Sequence, residues 1–75
     1  MEIVIDPLAP RDATPRIQAA VVRVLSGRRL EDVRVYVSRP HPGRWSVFIT
    51  GLKEHPLEAV ESIEAELERT DYAGH

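Results

Sequence analysis

Two aromatic side chains and an arginine are the residues of this 75-residue chain whose types and spacing best suit binding. Residues 32–38 and 45–50 alternate in polarity with the period of a β-strand, so Arg34, Tyr36 and Phe48 should share one face of a sheet. Exposed aromatic rings stack on unpaired bases, and arginine binds phosphate. The same residues also fit a cross-strand aromatic pair or a sheet face buried in a dimer. The pattern thus predicts a binding platform or an interface.

The second of these strands is similar to part of an RNA-recognition motif. Residues 44–50, read as RWSVFIT, begin with a basic residue and carry one outward aromatic, Phe48. Members of that family stack bases on aromatics at alternating positions of their central strands. The glycine and the second outward aromatic of the motif are missing from this strand. The resemblance implies single-stranded nucleic-acid binding as the alternative function.

A second group of candidate residues lies at the predicted tip of the hairpin. Arg39, His41, Arg44 and Trp45 fall within seven residues, and Arg28 and Arg29 are expected nearby at the end of the first helix. Arginines beside an aromatic ring suit a phosphate or a nucleic-acid backbone. The alternative is that the arginines keep the hairpin soluble and that Trp45 is a core residue.

Acidic and histidine side chains give no metal site by their spacing. Glutamates recur in the last third of the chain without lysines to neutralise them, and a solvated helix face, a divalent cation or a basic partner would each satisfy them (Glu54, Glu58, Glu61 and Glu68). The three histidines have no ligand spacing. The chain also lacks a glycine-rich phosphate loop and a nucleophile elbow. We therefore expect no metal, no cofactor and no catalytic residues.

Five elements are predicted to position these residues, in the order β-α-β-β-α. Residues 2–6 form a strand, and Thr14-Pro15 starts a helix that Gly27 ends. Strands follow at 32–38 and 45–50, whereas the prolines and glycine of residues 39–44 should prevent pairing there. Pro56 opens the second helix, and residues 70–75 form a frayed tail. The expected inner face of that helix comprises Leu57, Val60, Ile63, Glu64 and Leu67.

This pattern predicts one α+β domain over residues 1–75, a two-layer βαββα sandwich. We expect a three-stranded mixed sheet of order 1-3-2 with both helices on one face, as in a split β-α-β unit. The first strand would then have an unpaired edge. Because a domain of this size has a thin core and the chain has no cysteine, a homodimer would supply the missing burial.

Composition narrows the class of protein further. Hydrophobic residues make up 43% and charged residues 29%, which is typical of globular proteins, and the net charge is −2. Residues 1–53 carry a balance of +4 and residues 54–75 a balance of −6, which is typical of a solvated acidic helix or of two oppositely charged surfaces. No export signal or membrane span is evident, so a cytoplasmic protein is expected. The sequence favours a non-catalytic interaction module, a homodimer or an accessory subunit.

Overall fold

The computed structural model describes residues 1–41 and 44–69. Along the chain it contains β1 (Glu2–Ile5), α1 (Ala13–Val24), β2 (Arg34–His41), β3 (Arg44–Thr50) and α2 (Pro56–Arg69). The predicted element order and the small α+β class are confirmed. The prediction of a frayed tail concerns residues 70–75, which lie outside the described part of the chain.

The sheet has strand order β1-β2-β3, so the predicted order 1-3-2 is wrong. β1 pairs with β2 in parallel and β2 pairs with β3 antiparallel, which keeps the sheet mixed as expected. The reason is visible at the end of β1. The N–H of Asp6 donates to the carbonyl of Val37 at 2.8 Å, and the Asp6 carboxylate accepts the N–H of Arg39 at 3.2 Å. These bonds fasten β1 directly to β2, the next strand along the chain.

The β2–β3 hairpin extends further than the turn-forming residues predicted. β2 continues through Arg39 to His41, and His41 pairs with Arg44. An irregularity in register between Ser38 and His41 admits these extra residues. The expectation that residues 39–44 cannot pair is therefore wrong for His41 and Arg44. A bulge lets an extra residue enter one strand, so the strands can pair again beyond it.

Helix α1 begins earlier than Thr14-Pro15 predicts. Its first residue is Ala13 and its N-cap residue is Asp12, which makes no side-chain capping hydrogen bond. Pro15 fits because the first four N–H groups of a helix have no partner within the helix. The apolar stripe of this helix faces the core: Ile17, Ala20, Val21 and Leu25 are fully buried, and Val24 is half-buried. Gly27 takes the left-handed conformation, with φ at 85°, that its position after the helix predicted.

Helix α2 begins at Pro56 as predicted, but its buried face is rotated from the expected one. Ala59, Ile63 and Leu67 are buried, and Val60 and Glu64 are half-buried. Leu57, predicted to face inward, is 67% exposed. The stripe at i, i+4 and i+8 faces the sheet because α2 packs on β3 and also against α1, which turns Leu57 to the far side.

One hydrophobic core lies between the sheet and the two helices. The helices contribute Ile17, Val21, Leu25, Ile63 and Leu67, and the sheet contributes Val33, Val35, Val37, Trp45, Val47 and Ile49. No charged or polar residue is buried in the described ranges. Neither helix there is long and apolar enough to cross a bilayer.

The turn between β3 and α2 depends on Gly51. Its φ is 92°, and a Cβ at this position would overlap the carbonyl oxygen of Asp32. Only glycine permits both this conformation and this close approach. The contact closes β3 against the residues just before β2 and directs the chain back over the sheet as α2.

Candidate interaction surface

The face of the sheet that the helices leave bare carries the residues that the sequence singled out. We call it the open face and define it by the outward side chains of the three strands: Glu2, Val4, Arg34, Tyr36, Ser38, Arg44, Ser46 and Phe48. They alternate with the buried side chains because successive residues of a strand point to opposite faces.

An apolar row crosses the middle of the open face. Val4 lies beside Tyr36, and Tyr36 lies opposite Phe48, so each strand supplies one residue. The exposed fractions are 42%, 37% and 62% respectively. The two rings are 6.1 Å apart between centroids and tilted by 38°, a geometry in which aromatic pairs attract. The structure thus places Tyr36 and Phe48 together on this face, as the alternation of the strands predicts, and the register puts Val4 in the same row.

Arg34 is also on the open face, next to this row, but it has a partner. Its Nε lies 3.2 Å from a carboxylate oxygen of Glu2, which is its neighbour across the β1–β2 pair. Both side chains remain more than half exposed, so the ion pair contributes little to stability. The pair does neutralise the charge of Arg34, which would otherwise be available to a phosphate.

The described hairpin-tip side chains lie on both faces of the sheet, with Arg39 and Trp45 together and Arg44 on the open face. Trp45 is 5% exposed and faces the helices, and the Arg39 guanidinium lies 5.3 Å from the centroid of its ring. Arg39 thereby covers one end of the core, with its Nε buried and without a hydrogen-bond partner among the described residues. Arg44 is exposed on the open face. The side chain of His41 lies outside what the structure describes.

Arg28 and Arg29 lie at the other end of the molecule from the hairpin tip. They line a shallow depression of about 410 Å³ together with Asp32, Gly51 and Lys53. A hydrogen-bonded ion pair of 3.1 Å joins Arg28 to Glu54 there. Because its charges are mixed and the Arg28 guanidinium is already paired, the depression offers no specific site for an anion. Nor do three or more potential metal-ligating side chains cluster anywhere in residues 1–41 and 44–69.

The chain matches no protein-family model, and neither a curated protein nor a solved structure shows significant similarity to it. Function must therefore be argued from the geometry of the open face and of the sheet edges.

Proposed function

We propose that this protein is a non-catalytic interaction module that forms a homodimer by packing two open faces together. The apolar row of Val4, Tyr36 and Phe48 carries this proposal, since it crosses all three strands and no helix covers it. Two sheets stacked face to face bury such rows between them at a spacing of about 10 Å.

A second copy suits this face in charge as well as in polarity. Arg34 is neutralised by Glu2 of its own chain, so two facing copies do not bring uncompensated charges together at the row. The rest of the central surface consists of Ser38 and Ser46, which pair with each other in register and can remain solvated at the rim. The thin core of a 75-residue chain without disulfides would gain most from burial of this kind.

Light scattering combined with size-exclusion chromatography over a wide concentration range tests the homodimer. The wild-type protein should shift from monomer to dimer as concentration rises, and Phe48→Ser should stay monomeric. Val22→Ser is the matched control, because Val22 is 48% exposed but lies on α1, away from the open face. Circular dichroism verifies that each variant is folded, and Tyr36→Ser replaces Phe48→Ser if the latter unfolds. A wild-type chain that remains monomeric throughout, or a Phe48→Ser variant that still dimerises, contradicts the proposal.

The Tyr36–Phe48 ring pair favours a second candidate function, binding of single-stranded nucleic acid. Two exposed rings on one sheet face, with Arg44 at one end and the Glu2-paired Arg34 at the other, are elements of a stacking platform. Titration with a single-stranded oligonucleotide at low salt tests it. Binding should weaken about 5- to 150-fold in Phe48→Ala, since one stacked base is worth about 1–3 kcal/mol, and should persist in the Leu57→Ala control. No binding by the wild-type chain removes this candidate.

A further inference from the structure

The outer edge of β3 has backbone groups directed toward solvent, as the hydrogen bonds of β1 show. The N–H groups of Glu2 and Asp6 donate to the carbonyls of Val33 and Val37, at 2.9 and 2.8 Å. The odd-numbered residues from Val33 along β2 therefore direct their backbone N–H and C=O groups toward β1. Because the direction alternates from residue to residue, the even-numbered residues of β2 direct theirs toward β3.

This alternation fixes which residues of β3 face outward. Tyr36 pairs with Phe48 in register, so these two exchange hydrogen bonds between the strands. Val47 and Ile49, on either side of Phe48, must then direct N–H and C=O away from β2. Among the described residues, neither Val47 nor Ile49 makes a backbone hydrogen bond to a turn or loop on that side of β3. β3 therefore ends the sheet with an edge that can accept another strand.

The edge of β3 is better suited to accepting another strand than the edge of β1. β3 spans seven residues from Arg44 to Thr50 and contains no proline, and Arg44 is its one charged residue. β1 spans only four residues, and Pro7 lies two residues after its end. A longer edge offers more main-chain hydrogen bonds to an added strand.

Helix α2 places acidic side chains along the same edge. Glu66 faces α1, because its carboxylate lies 3.5 Å from the Arg23 guanidinium, and Ile63 and Leu67 face the sheet. Helical spacing of 100° per residue then turns the remaining side of α2 away from α1 and over the outer edge of β3. That side carries exposed Leu57 and three glutamates, Glu61, Glu64 and Glu68.

These three glutamates have no ion-pair partner within the described residues. A second copy pairing through β3 would bring the two acidic sides of α2 together, so like charges would oppose it. An added strand whose lysine or arginine side chains face α2 would instead be attracted, and its alternate apolar side chains would point toward the open face.

We infer that the β3 edge binds an extended, basic segment of another protein as a fourth strand, with Glu61, Glu64 and Glu68 selecting for positive charge. This site is separate from the open face, and the inference does not depend on the homodimer.

A peptide of alternating lysine and valine is the probe, and NMR titration of the isotope-labelled full chain is the measurement. Addition of the peptide should shift the amide signals of Val47 and Ile49 and slow their hydrogen exchange. The amide of Phe48, already bonded to β2, should exchange slowly throughout. Shifts confined to the open face, or spread evenly over the surface, would overturn the inference.

Two comparisons separate strand addition from simple attraction between charges. The same peptide with N-methylated backbone nitrogens has the same charge but cannot donate hydrogen bonds to the ladder, so it should bind at least tenfold more weakly. The double variant Glu64→Gln/Glu68→Gln should lose at least tenfold in affinity. Glu31→Gln/Glu58→Gln, which removes equal charge elsewhere, should lose much less. Equal binding of the two peptides, or equal losses in the two double variants, contradicts the site. The Phe48→Ser variant should bind as the wild type does, whether or not it dimerises.

Discussion

The two faces of the sheet alternate along the same strands but have different contacts. On the covered face, Val35, Val47 and Ile49 are buried under both helices. On the open face, Tyr36 and Phe48 contact each other, and no helix packs on them. The free energy of folding a single chain therefore comes chiefly from the covered face. Large apolar side chains on the open face gain little within the monomer, which makes them available for contact with another molecule.

Neighbouring substitutions on β3 test this difference most strongly. Ile49→Ala should lower the free energy of unfolding by about 2–5 kcal/mol, because it leaves a cavity in the core. Phe48→Ala, one residue away on the open face, should cost only about 0.5–1.5 kcal/mol through loss of the aromatic pair. Urea unfolding followed by circular dichroism at low protein concentration measures both. Similar losses would mean that the two faces contribute equally to the monomer.

Two glycine substitutions extend the comparison by testing the turns that place the helices over the covered face. Gly51→Ala should destabilise the chain by more than about 2 kcal/mol, since it adds a steric clash with Asp32 to the cost of a positive φ. Gly27→Ala should cost only about 1 kcal/mol, because nothing lies within 4 Å of the added Cβ although φ is also positive. Thermal unfolding of the two variants provides the measurement. The reverse order would show that the turn at Gly51 can relax freely.

The smallest effect is expected from the ion pair on the open face. A double-mutant cycle of Glu2→Gln and Arg34→Gln should give a coupling energy below about 0.5 kcal/mol, because both side chains are largely solvated. The cycle should be measured by urea unfolding at low and high salt. A coupling above about 1 kcal/mol would show that the open face also stabilises the monomer.

Alternation of side chains was enough to predict the two faces from the sequence. It correctly separated Tyr36 and Phe48 from Val35 and Val47, because period-two patterning depends only on the strand itself. It could not predict strand order, since either neighbour of β1 would bury the same side chains. The deciding contacts come from Asp6, whose carboxylate reaches the N–H of Arg39 on β2.

Helix patterning likewise gave the existence of α2 but not its rotation. Leu57 and Val60 fit an apolar face as well as Ala59 does by spacing alone. The rotation is set by packing on β3 and against α1, including the ion pair of Glu66 with Arg23. The same contacts turn Leu57 outward, so the exposed side of α2 could not be identified before the structure was known.

The hydrogen bond that the Asp6 carboxylate accepts from the N–H of Arg39 has a consequence for the order in which the chain folds. It joins residues 33 positions apart, whereas β2, β3 and α2 follow one another closely along the chain. Closing a long loop costs entropy before its contacts form, so local elements assemble first. The β2–β3 hairpin and α2 should accordingly nucleate folding, and β1 should join the sheet last, with the Asp6 carboxylate completing the pairing.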